Sequence, residues 1–438
     1  MTSLSAQDIE DIFQRLRGGA VPERGLDAYV VGVDRELGEL RRMFTLVGKG
    51  SGQVKFLRGG YGCGKTFMAR LSTIEAQKQG FATSFVVVSD NDLKFHRFDE
   101  VYRKVVAELA TASCARGALG DILHRWIGKI EQGLAEHHDV DAPDFDAKVG
   151  EKLAEELTTM IGPSAPAEFI RGIQTVFELE QAGKLSDATA LLSWLSGSGN
   201  VSANIKRLAD IKGEIGSNDA MAYLRGIVGM IHAAGYKGLV IVIDEAETIL
   251  RMRRDSRGSS LNGIRQIFDA SPSFPHLLWI FTGTPEFFDS RHGVGGLEPL
   301  HNRISFSKSG ENGEYVNVRQ PQLELRPFNE ERLRAVAKSL RNLYPATDRE
   351  RFLAKLDDAY IDEVVGEVSK GLGKNIGLVP RRFLRELVNT MDLVEDVPGF
   401  DPRAGKFPVV GGLSPEEQAA AAGLEGEDEG PIAVEQVW

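Results

Sequence analysis

Gly59-Gly60-Tyr61-Gly62-Cys63-Gly64-Lys65-Thr66 is the stretch whose reading decides the fold. It fits G-x-x-x-x-G-K-[ST], with glycine at four of its eight positions, and lies between the apolar run Val54-Lys55-Phe56-Leu57 and a helix-like segment opening at Thr66-Phe67-Met68-Ala69. Strand, glycine-rich loop and helix in that order are what a phosphate-binding loop needs. Positions without side chains let backbone N–H groups wrap an anion, and the helix N-terminus adds partial positive charge. On this reading Lys65 reaches the β- and γ-phosphates of ATP, and the Thr66 hydroxyl ligates Mg²⁺. A chance glycine-rich turn ahead of Lys-Thr would leave the flanking strand and helix unexplained.

The second signal is Leu239-Val240-Ile241-Val242-Ile243-Asp244-Glu245-Ala246-Glu247. A run this apolar and β-branched belongs in the middle of a parallel sheet, covered on both faces. Carboxylates at its C-terminal end sit where open α/β sheets bind ligands. Asp244 can then hold Mg²⁺ through water, and Glu245 can orient or deprotonate the water that attacks the γ-phosphate. A strand meeting a polar turn is the plain alternative, and the loop at 59–66 weighs against it.

Working outward, Phe85-Val86-Val87-Val88 and Leu277-Leu278-Trp279-Ile280-Phe281 read as further buried strands, Gln322-Leu323-Glu324-Leu325 as the last, and helical patterns follow residues 37 and 98. This alternation predicts an α/β fold with a three-layer parallel sheet. Between about 111 and 218 the alternation stops, and helix-like segments at 145–161, 167–181 and 185–195 mark an insertion far longer than a crossover needs. The expected organisation is an N-terminal helix and linker at 1–27, a core in two parts at 28–110 and 219–328, a helical insertion at 111–218, a small all-α lid at 329–395, and an acidic, disordered tail at 396–438.

With 438 residues, of which 42% are hydrophobic and 26% charged, the chain has the composition of a globular protein with a sizeable core. Two cysteines, one of them inside the loop, cannot build a disulfide framework, so a reducing cytoplasm is the expected compartment. No apolar run approaches the ~20 residues of a membrane span. A net charge of −11 argues against nucleic-acid binding through the overall field. The one local basic strip is Arg251-Met252-Arg253-Arg254-Asp255-Ser256-Arg257, expected to precede a helix at Leu261–Ala270 and to offer contacts to DNA phosphates, with a solvated loop as the competing account.

These pieces together resemble an AAA+ P-loop ATPase of the initiator-like, STAND-related type. The layout, with its long helical insertion before Asp244-Glu245, resembles the ATP-binding BrxD family of BREX phage-defence systems over roughly residues 20 to 395. The resemblance implies further site residues. Val31 and Gly32, in Val30-Val31-Gly32-Val33-Asp34-Arg35-Glu36, match the box that covers adenine, with one residue inserted. Thr284, and second to it Thr282, matches the polar "sensor 1" position, turn capping being the competing use of either. Arg303, in Pro299-Leu300-His301-Asn302-Arg303-Ile304, matches the arginine finger that reaches a neighbouring subunit's γ-phosphate, against the alternative of a surface arginine at a helix end. Arg381, or Arg382 beside it, matches "sensor 2" in Gly377-Leu378-Val379-Pro380-Arg381-Arg382, where a proline-led basic helix start is the other account. The function so implied is an ATPase whose nucleotide state controls self-association, DNA engagement and contact with a helicase or other defence proteins. A slowly hydrolysing switch or scaffold is the second reading. A DEAD-type helicase is weaker, for want of a second half carrying an arginine motif.

Overall fold

The strand feeding the glycine loop is the hub of the sheet. In this computed structural model, which describes residues 4–89, 93–163, 165–310, 315–372, 380–405 and 407, the strands are β1 Gln53–Arg58, β2 Ala82–Val87, β3 Leu109–Ala110, β4 Leu239–Asp244, β5 Leu277–Gly283, β6 Lys308–Ser309, β7 Tyr315–Val316 and β8 Gln322–Glu324. Six form one sheet in the order β3-β2-β4-β5-β1-β8, while β6 and β7 pair by themselves. Every pairing in the large sheet is parallel except that of β2 with the short edge strand β3. The register sets Val54 opposite Trp279 and Val240 opposite Leu278.

Alternation along the strands builds three layers, because successive side chains leave a strand on opposite faces. Leu239, Ile241 and Ile243 of β4, with Leu277, Trp279 and Phe281 of β5, enter one apolar cluster. Val240, Val242, Leu278 and Ile280 enter the other. The first cluster also takes in the helices Leu119–Ala135, Phe145–Glu156, Ala167–Gln181, Leu185–Leu195 and Ala220–Ala233, so the helical stretch is cored on the sheet itself. The second is covered by the helices Ala6–Arg17, Asp34–Gly48 and Lys65–Lys78 and by the C-terminal helices Glu330–Leu343, Arg349–Lys355, Asp358–Leu372 and Pro380–Asp396.

Three expectations need correction. The helix expected at Leu261 begins at Arg254 and runs to Ala270, so Gly258-Ser259-Ser260 lies inside it, with Gly258 and Ser260 buried. Gly263 is what this helix needs, since a Cβ there would stand 2.3 Å from the Phe95 carbonyl oxygen. Within the all-α lid, residues 350–369 read from sequence as one helical stretch; they form two helices, Arg349–Lys355 and Asp358–Leu372, broken at Leu356-Asp357, where Asp357 accepts from the Tyr360 backbone N–H at 2.7 Å. Finally, the tail does not leave the fold at 396: Lys355 donates to the carbonyls of Pro398 (2.7 Å) and Phe400 (2.6 Å), and Phe407 packs on Phe383 with ring centroids 5.9 Å apart. Beyond residue 407 the acidic stretch lies outside the described residues.

Candidate nucleotide site

The loop is held at the carboxyl end of β1 by its neighbours: Gly59 N–H donates to the Gly283 carbonyl at 3.1 Å, and Leu325 N–H to Arg58 at 2.8 Å. Gly62 and Gly64 sit at φ +77° and +83°, the left-handed region that a side chain resists. At Gly59 a Cβ would meet Cys63 at 3.2 Å and Lys65 at 3.5 Å. Gly64 is the N-cap of the helix Lys65–Lys78, so Lys65 and Thr66 open its first turn, with backbone N–H groups unused by the helix. The Lys65 ammonium donates to the carbonyls of Gly59 (3.0 Å) and Gly60 (3.3 Å), pairs with Glu247 Oε1 at 3.4 Å, and stands 5.2 Å from the Tyr61 ring centroid.

β5 lies between β1 and β4, and from there it organises the acidic strand end. Its Thr282 hydroxyl donates to Asp244 Oδ1 at 2.7 Å and accepts from the Glu245 backbone N–H at 2.9 Å. Asp244 is only 1% exposed. Glu245 turns the chain at φ +61°, after which the 3₁₀ turn Ala246–Arg251 folds back and returns Glu247 to the loop. The Glu245 carboxyl is pushed above the usual carboxylate range by burial and by the neighbouring Asp244 and Glu247 charges, against the pull of Arg381 and Lys65. Glu247 is raised too, by burial first, and its Oε2 has no hydrogen-bond partner.

One cavity of about 810 Å³ is lined by Gly60 to Met68, Glu245, Glu247 and Thr284. Val31 and Arg381 line it as well, and Gly32, at φ +68°, lets Arg332 come within 2.9 Å of where its Cβ would be. Asp244 is not among the lining residues; it lies beneath them, bonded to Thr282. Thr284 borders the cavity and also caps the helix Pro285–Asp289, accepting from Phe287 N–H at 3.3 Å, while Thr282 makes the contact to Asp244. Gly377 to Val379 of the "sensor 2" segment lie outside the described residues. Arg303 stays apart from the cavity: its guanidinium pairs with Asp269 and donates to the Pro299 carbonyl at 2.6 Å. Arg326 and Arg332 at the start of the lid, and Leu16 with Gly19 to Pro22, also line the cavity and carry no signal as site residues in the sequence. No periodic pattern marks residues 18–22, and Arg332 reads only as an ordinary helix-start residue.

The geometry fits a polyphosphate and a magnesium ion: a glycine cradle, a lysine, a hydroxyl at the helix start and the Glu245 and Glu247 carboxylates line one space, with buried Asp244 next to them in the chain. Comparison with family models matches residues 4–406 to the BREX system ATP-binding protein BrxC/D family. The chain belongs to that family. No curated protein matches it. In the basic strip of this chain one arginine of the four, Arg257, is buried. Arg257 is 6% exposed, donates to the Met252 carbonyl at 3.2 Å and contacts His292, while Arg251, itself exposed, lines the cavity. Arg253 and Arg254 remain at the surface. Among the described residues no helix is long and apolar enough to cross a membrane.

Proposed function

We propose that this chain binds ATP with Mg²⁺ in the cavity between the glycine loop and the Asp244–Glu247 turn and hydrolyses it, as an AAA+ member of a BREX phage-defence system. The observation that carries this is the convergence of Lys65 and Thr66 with Glu245 and Glu247 on one cavity. Gly59 to Thr66 hold the phosphates, Val31 and Gly32 flank the base, and Thr66 with Asp244, through water, holds the metal, whose chemistry is to neutralise charge at the transferred phosphoryl. Glu245 orients and deprotonates water, Thr284 and Arg381 flank the γ-phosphate, and Arg303 completes a neighbour's site. On the same reading 28–110 and 219–328 form the ATPase core, 111–218 is its insertion and 329–395 its lid.

The family supports ATP binding within a BREX system, and the resemblance implies nucleotide-dependent self-association, DNA engagement and work with a helicase or other system proteins. The second reading is a slow switch that waits for a partner, in which Arg303 stays with Asp269; on either reading a finger that serves a neighbour stands outside its own cavity. Sizing the protein with an ATP analogue and with duplex or single-stranded DNA, while assaying phosphate release, separates the two. DNA-stimulated turnover in an oligomer supports the ATPase reading. Partner recruitment without stimulation supports the switch.

A further inference from the structure

The Lys65 ammonium donates to the Gly59 and Gly60 carbonyls and forms an ion pair with the Glu247 carboxylate, Nζ to Oε1 3.4 Å, so its protons are engaged within the chain. A triphosphate at this loop needs those same protons. The carbonyl contacts are weak neutral bonds that a phosphate oxygen can replace; the carboxylate is a charged competitor. It is brought there by the left-handed turn at Glu245, its side chain is 12% exposed, and its second oxygen is buried without a hydrogen bond. Such an arrangement is a poor way to add stability, because a half-satisfied buried carboxylate costs more than it returns. We infer that Glu247 is a positioning residue of the phosphate site, which holds Lys65 against the incoming β- and γ-phosphates and so sets the affinity for di- and triphosphates relative to a monophosphate. The inference rests on Lys65 being the phosphate ligand. Glu36, Glu245, Glu286, Arg251, Arg326, Arg332 and Arg381 also line the cavity, but among the described residues Glu247 is the one carboxylate paired with the lysine.

The test is equilibrium binding of ATP, ADP and AMP to the full chain and to Glu247→Gln. The near-isosteric amide removes the competing charge, so ATP and ADP should bind roughly tenfold tighter, while AMP, which lacks the phosphates Lys65 reaches, should bind unchanged. Glu286→Gln, in the same cavity but not paired with Lys65, should shift ATP affinity less. A wild-type chain that does not bind ATP, or a Lys65→Ala chain that binds it equally well, sinks the ATP site itself. If instead ATP binding depends on Lys65 but Glu247→Gln leaves it unchanged or weaker, or moves AMP or Glu286→Gln equally, the role of Glu247 alone is overturned. Should the amide variant fail to fold, judged by thermal melting, Glu247→Asp, one methylene shorter, carries the same expectation at smaller size and is overturned by the same results.

Discussion

Thr282 serves two acidic residues with one hydroxyl, donating to Asp244 and accepting from the backbone of Glu245. Thr282→Val keeps the shape and leaves a buried acceptor and an N–H unpaired, so it should cost about 1–3 kcal/mol in a denaturation experiment and lower ATP turnover as Glu245 loses its orientation. Glu245 itself gives a pH prediction. Its carboxyl is raised in the folded protein, and a general base works only when ionised, so turnover should rise with pH through a value above the ordinary carboxylate range. Arg381 pulls that value down, so Arg381→Ala should move the acid limb of the rate profile to higher pH. Lys65 was legible in the sequence because everything it needs is within the loop and its helix. The different contacts of Thr282 and Thr284 were not, because both are polar residues leaving one strand, and what separates them is a hydrogen bond to Asp244, 38 positions away in the chain.

At the scale of elements, β1 carries a buried cation just ahead of the loop. Lys55, 2% exposed, pairs with Glu39 at 3.0 Å and donates to the Val318 and Gln320 carbonyls at 2.7 Å, tying the helix Asp34–Gly48 and the approach to β8 onto one strand. Breaking a buried pair from one side is costly, so Lys55→Met should destabilise the chain by about 3–5 kcal/mol, read as a lowered denaturation midpoint. The apolar strands were legible from alternation and β-branched content, and β4 from its buried run. The start of the helix at Arg254 was not. Gly258-Ser259-Ser260 are poor helix formers, and tertiary contact overrides propensity there, with Gly263 admitting the chain at Phe95.

At the scale of the molecule, the N-terminal helix and the lid close on each other across the second apolar cluster. Arg17 makes paired hydrogen bonds to Asp392 at 2.7 and 2.8 Å, and Tyr344 adds a third to the same carboxylate at 2.7 Å. Residues that look like a linker therefore reach the cavity, which a reading along the chain could not show. Whether the assembly shares sites is testable by mixing. Arg303→Ala and Lys65→Ala chains, each inactive alone, should recover a fraction of ATPase activity when combined if the arginine acts across a subunit boundary. No recovery would confine Arg303 to its pairing with Asp269.

The most direct test of the whole account is phosphate release from ATP at saturation, measured side by side for the wild-type chain and for Glu245→Gln, with binding verified for both. The account predicts that both bind ATP and that the variant releases phosphate at least roughly 100-fold more slowly. A variant that turns over like the wild type, or a wild type that takes up no ATP, would contradict it.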